Sequence, residues 1–138
     1  MANDTGLAFH EPAGWPRPSG YANAVSATGR TVFIAGQVGW DPVTGQFPSR
    51  DVAVQVRQAL KNVVTALAAA GGKPTDITRL TWFITDREAY MAHREAIGVC
   101  YRDVLGRHFP AMSVVVVKEL LEAAARVEIE ATAVVEGG

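Results

Sequence analysis

Val127-Glu128-Ile129-Glu130-Ala131-Thr132-Ala133-Val134 alternates apolar and polar residues, the period of a strand with one buried face. Val127, Ile129, Ala131, Ala133 and Val135 fall on one side, and Glu128, Glu130, Thr132 and Val134 on the other. Upstream, Phe109-Pro110-Ala111-Met112-Ser113 leads into Val114-Val115-Val116-Val117. That second run is apolar at every position, so both faces of its strand ask for burial. An apolar strand beside one bearing two same-face carboxylates makes a sheet surface suited to acid–base chemistry. Met112 then decides what such a surface binds.

Working outward, Arg126 to Val135 and Ser113 to Lys118 read as the last two strands. Before them a helix is expected from about Asp86 or Arg87 to Leu105, with Asp86 as N-cap and Gly106 as its stop. Arg79 to Thr85 reads as a strand. A first helix runs from Asp51 to Ala70, with Val52, Val56, Leu60, Val63 and Leu67 on one face and Gly71-Gly72 ending it. Gly36 to Gln46 is a loop containing the turn Asp41-Pro42-Val43-Thr44-Gly45. Tyr21 to Ala27 and Thr31 to Ala35 read as short strands joined by a hairpin turn at Thr28-Gly29-Arg30. Residues 1–18 read as an irregular arm, broken by Pro12, Pro16 and Pro18. The order ββαβαββ implies an α+β fold, a mixed sheet with two helices on one face. Two helices cover one side only, so the other side is expected to meet another copy of the chain, with carboxylates near the seam.

The 138 residues suggest a single domain over 1–138. With 49% apolar and 20% charged residues the composition is that of an ordinary globular protein. A net charge of -1 offers no basic field for nucleic acid, so no nucleic-acid partner is expected. The one cysteine, Cys100, excludes an intramolecular disulfide and a multi-cysteine zinc site, and fits a reducing cytoplasm. Met1 to Pro18 lacks the basic-then-apolar pattern of a secretory signal, and no run approaches the roughly 20 apolar residues of a membrane span.

Five pieces of the chain, in order, resemble the RidA family of reactive enamine/imine deaminases. Ser19-Gly20-Tyr21-Ala22-Asn23-Ala24-Val25 looks like the family's first strand, which carries a site tyrosine. Ile34-Ala35-Gly36-Gln37-Val38-Gly39 looks like the second strand and its following loop. Asp51 to Asn62 is similar to the first helix, and Phe109-Pro110-Ala111 with Val127-Glu128-Ile129-Glu130-Ala131 matches the C-terminal signature. The resemblance implies a chorismate-mutase-like fold and a trimeric barrel with clefts between subunits. It also implies hydrolysis of a carbon–nitrogen double bond, releasing ammonia and a carbonyl compound without a cofactor or metal. One departure bears on substrate. Members acting on amino-acid-derived imines carry Arg directly after Pro-Ala, where it grips the substrate carboxylate; here that residue is Met112.

Glu128 is the acid–base candidate, since imine hydrolysis needs proton delivery and an activated water. Against that stands the plain reading of a solvated strand glutamate. Tyr21, Gly36, Gln37, Trp40, Met112 and Ser113 are the substrate-binding candidates. Tyr21 offers a hydroxyl or is a half-buried aromatic. Gly36 and Gln37 offer close backbone approach. Trp40 walls a cleft or packs its loop, and Met112 lines the same cleft or fills core. Glu130 suits a structural pair. Arg94 and Arg126 are the candidates to replace the missing guanidinium, and solvent is the competing destination of both. Cys100 reads as a small buried side chain. His10, His93 and His108 show no metal-ligand spacing. The reading is a hydrolase of enamines or imines, acting on a neutral, aromatic or differently charged small molecule rather than on 2-iminopropionate. The alternative is a non-catalytic trimer that binds a small molecule or partner, and an endoribonuclease ranks last.

Overall fold

The computed structural model describes residues 6–137, so residues 1–5 of the expected arm lie outside the described residues. The elements are β1 (Ala8–His10), β2 (Ala24–Ser26), β3 (Arg30–Val38), α1 (Val52–Ala69), β4 (Ile77–Ile84), α2 (Arg87–Ala92), α3 (Arg94–Leu105), β5 (Ala111–Val116) and β6 (Val127–Val135). The main sheet has the order β3-β6-β4-β5. β6 is antiparallel to both its neighbours, whereas β4 and β5 run parallel, so the sheet is mixed.

α1 forms for the reasons its sequence shows. The Asp51 carboxylate accepts from the backbone N–H of Ala53 (2.8 Å) and Val54 (3.1 Å), satisfying donors that the first turn leaves free. Val52, Val56, Leu60, Val63 and Leu67 are all buried. Each such side chain contributes about 1.5–3 kcal/mol of burial. At the far end Gly72 N–H donates to Leu67 O and Gly71 N–H to Ala68 O, both at 3.0 Å. Gly71 has a φ of 84°, the left-handed conformation this helix ending demands. α1 packs on β3, β6 and α3. The core cluster also takes Leu80, Trp82 and Ile84 of β4 and Ile97, Cys100, Tyr101 and Leu105 of α3.

Two buried amides tie the strands to α1. Gln55 Nε2 donates to Ser49 O (2.9 Å) and Ala124 O (3.0 Å), and its Oε1 accepts from Arg126 N–H (2.7 Å). Asn62 Nδ2 donates to Val38 O (3.0 Å) and Trp40 O (2.9 Å). The end of β3 and the start of β6 are thereby fixed to one helix.

Three expectations are corrected. The arm is not wholly irregular, because Ala8–His10 pairs with Ala24–Ser26 as a separate two-stranded sheet. Thr28-Gly29-Arg30 is consequently no hairpin turn: β2 pairs with β1, and β3 pairs with β6. The second helix is split at His93, whose φ of -111° and ψ of 17° interrupt it. There the imidazole Nδ1 lies 2.8 Å from Ala89 O and competes for a carbonyl of the helix. Asp86 caps α2 through Ala89 N–H (3.0 Å) and Gly106 ends α3, both as expected.

The helices cover one face of the main sheet. On the other lie Phe33, Arg79, Thr81, Phe83, Ser113, Val115, Glu128, Glu130 and Thr132. Phe33 is 80% exposed there. β5 is an edge strand, and Val114, Val115 and Val116 are 37%, 41% and 54% exposed, so the burial their sequence asks for is not met within one chain.

Candidate functional site

The candidate residues gather in two places. The first is a bulge in β3. Its register with β6 shifts between Ile34 and Gln37, which leaves Ala35 and Gly36 as the irregular pair. Glu128 of β6 stands beside this bulge. A β-carbon placed on Gly36 would meet Glu128 Cδ at 2.8 Å and Cγ at 2.9 Å, so only glycine lets the carboxylate lie where it does. Gln37 Nε2 braces the bulge through Ala35 O (3.0 Å). Phe83 faces Glu128 from β4, and Val115 continues the row on β5. Among the described residues the Glu128 carboxylate has no hydrogen bond or ion pair. It is half-buried and flanked by apolar side chains.

The second place is the β5 margin. Ala22 N–H donates to Pro110 O (3.0 Å) and bridges Ala111 in parallel, which docks Tyr21 beside Met112. Two cavities meet there, and Tyr21 and Met112 line both. The smaller, about 330 Å³, adds Asn23, Arg79 and Ser113. The larger, about 380 Å³, is walled by Trp82, Tyr90, Tyr101 and Phe109, with Arg94 and Arg102 also lining it. Tyr101 stacks on Phe109 (5.4 Å, 8°) and on Trp82 (6.3 Å, 25°), and Tyr90 meets Trp82 edge-on (6.5 Å, 89°). Burial pushes the Tyr101 hydroxyl pKa well up; that hydroxyl donates to His108 O at 2.5 Å. Burial also raises the Tyr90 pKa, against a smaller opposite pull from the Arg94 guanidinium. Trp82 is 2% exposed, and its indole N–H is buried without a partner among the described residues. An orphaned donor of that kind costs about 1–3 kcal/mol.

Glu128 and Met112 do not share a cleft within one chain. Glu128 lies in register with Phe83, whereas Met112 lies in register with Leu80, which faces the helices. The two side chains therefore belong to opposite faces of the sheet, two strands apart, roughly 10 Å sideways. No period in the sequence reveals the register that decides this.

The remaining candidates separate. Trp40 packs on Phe47 (5.8 Å) and its carbonyl is held by Asn62, so it organises its own loop. Arg126 is committed to Arg50 O (3.1 Å) and the Asp86 carboxylate (3.3 Å). Arg94 is exposed and lines the larger cavity. Glu130 is exposed and makes no ion pair among the described residues. Cys100 is buried and in no disulfide. Arg79 and Arg102 were not singled out from sequence. Arg79 opens the polar face of an alternating strand, and Arg102 follows Arg94 and Gly98 at helical spacing, which is the signal that marks them.

Comparison with known proteins gives concordant matches. Residues 16–135 match the family described as endoribonuclease L-PSP. A human protein named 2-iminobutanoate/2-iminopropanoate deaminase is 35% identical over 114 residues, 83% of this chain and 79% of its own. The Escherichia coli protein of the same name is 37% identical over 109 residues, 77% of this chain and 80% of its own. A crystal structure from Yersinia pestis, described as a protein of unknown function of the conserved Rid family, superposes with a TM-score of 0.82 at 31% identity, covering 94% of this chain and 99% of that one.

Proposed function

The chain belongs to the endoribonuclease L-PSP family, the RidA family of the sequence resemblance, and from that premise we propose that it hydrolyses reactive enamine or imine intermediates. The observation that carries the reading is the Glu128 carboxylate lying unpaired over the Gly36 bulge. Names of relatives such as the human and Escherichia coli proteins supply the reaction type.

In this reading Glu128 takes a proton from a water, the water oxygen bonds to the C=N carbon, and Glu128 passes that proton to the nitrogen. The resulting carbinolamine loses ammonia as its hydroxyl becomes a carbonyl, and Glu128 carries the proton from that oxygen to the departing nitrogen. Proton transfer of this kind accounts for about 10²–10⁴-fold, and holding water and substrate together adds to it.

The working site is a cleft between subunits of a homotrimer. Glu128 with Gly36 and Gln37 supplies one wall, and Tyr21, Met112 and Ser113 of the next copy supply the other. Opposite-face placement of Glu128 and Met112 supports this division, as does the exposed apolar surface at Phe33 and Val114–Val116. With Met112 in place of a guanidinium, 2-iminopropionate is a poor substrate. The test is turnover of a broad imine panel by purified protein and by Glu128→Ala. Turnover that survives the substitution unaltered removes Glu128 from the chemistry.

A further inference from the structure

The larger cavity has a composition that nothing in the reaction explains. Its walls are flat and aromatic, from Trp82, Tyr90, Tyr101 and Phe109, and its rim is cationic. Arg94, Gly98 and Arg102 follow one another at spacings of four on α3, so one helix face carries two guanidiniums on either side of a glycine, and all three residues line the cavity. Glycine in a helix interior is unfavourable, and here it leaves room beside the Arg102 guanidinium, whose Nη1 would stand 3.2 Å from a β-carbon at 98. Among the described residues neither arginine is paired: the ion pair on this helix joins Asp103 to Arg57, and Glu95 lies on another face. Trp82 is itself a wall of the cavity, so its indole signal reports on what the cavity holds.

We propose that this cavity seats a small molecule consisting of a planar ring that carries an acidic group, the ring lying against the half-buried rings of Tyr90 and Phe109 and the acid on Arg94 and Arg102. Because Met112 and Tyr21 line the same cavity, this molecule is the non-reacting part of the substrate; that word rests on the hydrolase reading, whereas the ligand class rests on the cavity alone. The acid is therefore read from the helix side, away from position 112, and the pocket favours imines whose charge is separated from the C=N carbon by a ring.

The probe is 4-acetylbenzoate, a ketone with a ring and a distal carboxylate. Acetophenone lacks the acid and pyruvate lacks the ring. Calorimetry is expected to give 4-acetylbenzoate an affinity at least about tenfold above either control, since a charge-assisted pair and ring stacking each add to binding. Its titration is expected to move the Trp82 indole N–H resonance. Three tryptophans give three such signals, and Trp15→Phe and Trp40→Phe identify that of Trp82 by elimination. Arg94→Gln combined with Arg102→Gln is expected to weaken 4-acetylbenzoate about tenfold while acetophenone is unaffected. Equal binding of pyruvate, an unmoved Trp82 signal, or full affinity in the double variant each overturns the proposal. Imine turnover is read separately. Ranked affinities without turnover of any imine leave the ligand class standing and remove the hydrolase reading, and turnover without the ranking does the reverse.

Discussion

Glu128 rests its carboxylate against the Cα of Gly36, with Cδ and Cγ at 2.8 and 2.9 Å from where a β-carbon would be built. The backbone at Gly36 does not have a positive φ, so this glycine is needed for space and not for conformation. Gly36→Ala is therefore expected to displace the Glu128 side chain from its stem outward, since Cγ as well as the carboxylate lies too close, at a cost of about 1–3 kcal/mol. Imine turnover is expected to fall by about 10²-fold, the order of a misplaced acid–base group. Steady-state kinetics alongside thermal unfolding separates the two effects. Intact turnover with a lowered Tm would contradict the assigned role.

Met112→Arg restores at the β5 margin a guanidinium next to Tyr21 and Ala111. Turnover of 2-iminopropionate is expected to rise at least about tenfold, because a bidentate charge-assisted contact replaces a thioether. Comparing kcat/KM for 2-iminopropionate in the two proteins checks this. Robust activity in the unsubstituted protein contradicts the premise.

Gly98→Ala replaces a mid-helix glycine with the best helix former, worth up to about 1 kcal/mol. The contact it creates is with the end of the exposed Arg102 side chain, at 3.2 Å, and that chain can shift. A Tm increase of roughly 3–5 °C is expected for a domain of this size, measured by calorimetry.

Burial holds the His108 imidazole below its ordinary pKa of about 6.5, and the smaller opposite pulls of the Ile77 carbonyl and Asp76 do not restore it. The unfolded chain then binds a proton that the folded chain refuses. Stability from this site is present above about pH 6.5 and is lost as pH falls through that value toward the folded pKa. His108→Gln retains an amide able to donate to Ile77 O, now 2.7 Å from Nε2, and does not titrate. The Tm gap between the two proteins is expected to narrow between pH 7.5 and pH 5, following from the reference value of about 6.5. A constant gap removes His108 from the acid response.

Gln55→Ala deletes three part-buried hydrogen bonds at once and leaves the Arg126 N–H and the Ser49 and Ala124 carbonyls without their protein partner. A loss of about 1–3 kcal/mol is expected in urea unfolding. At the other tether, Asn62→Gln lengthens the side chain beside Val38 O and Trp40 O and serves as the parallel case, with a loss of about 1–3 kcal/mol from strain and broken hydrogen bonds.

Elements with a sustained period were legible in the chain. α1 follows its five-residue apolar face and its Asp51 cap closely, and β6 follows its alternation to Val135. Ala8–His10 was not, because three residues before Pro12 are too few to show a period, and their pairing with Ala24–Ser26 is a tertiary matter. The split at His93 depends on one imidazole reaching back to Ala89 O. For the site, the identity of Glu128, Gly36, Tyr21 and Met112 could be read, but their division between two faces could not. That division follows from how β5 and β6 each register with β4, and a shift by one residue would reverse it.

The valines of β5 also set a condition on making the protein. Their outer amide and carbonyl groups lie at an open sheet margin in an apolar ribbon, the arrangement from which cross-β stacking begins. A chain returning from denaturant that meets another before its own sheet has formed can pair the wrong margins, so gradual removal of denaturant favours native assembly and abrupt, crowded refolding favours precipitate.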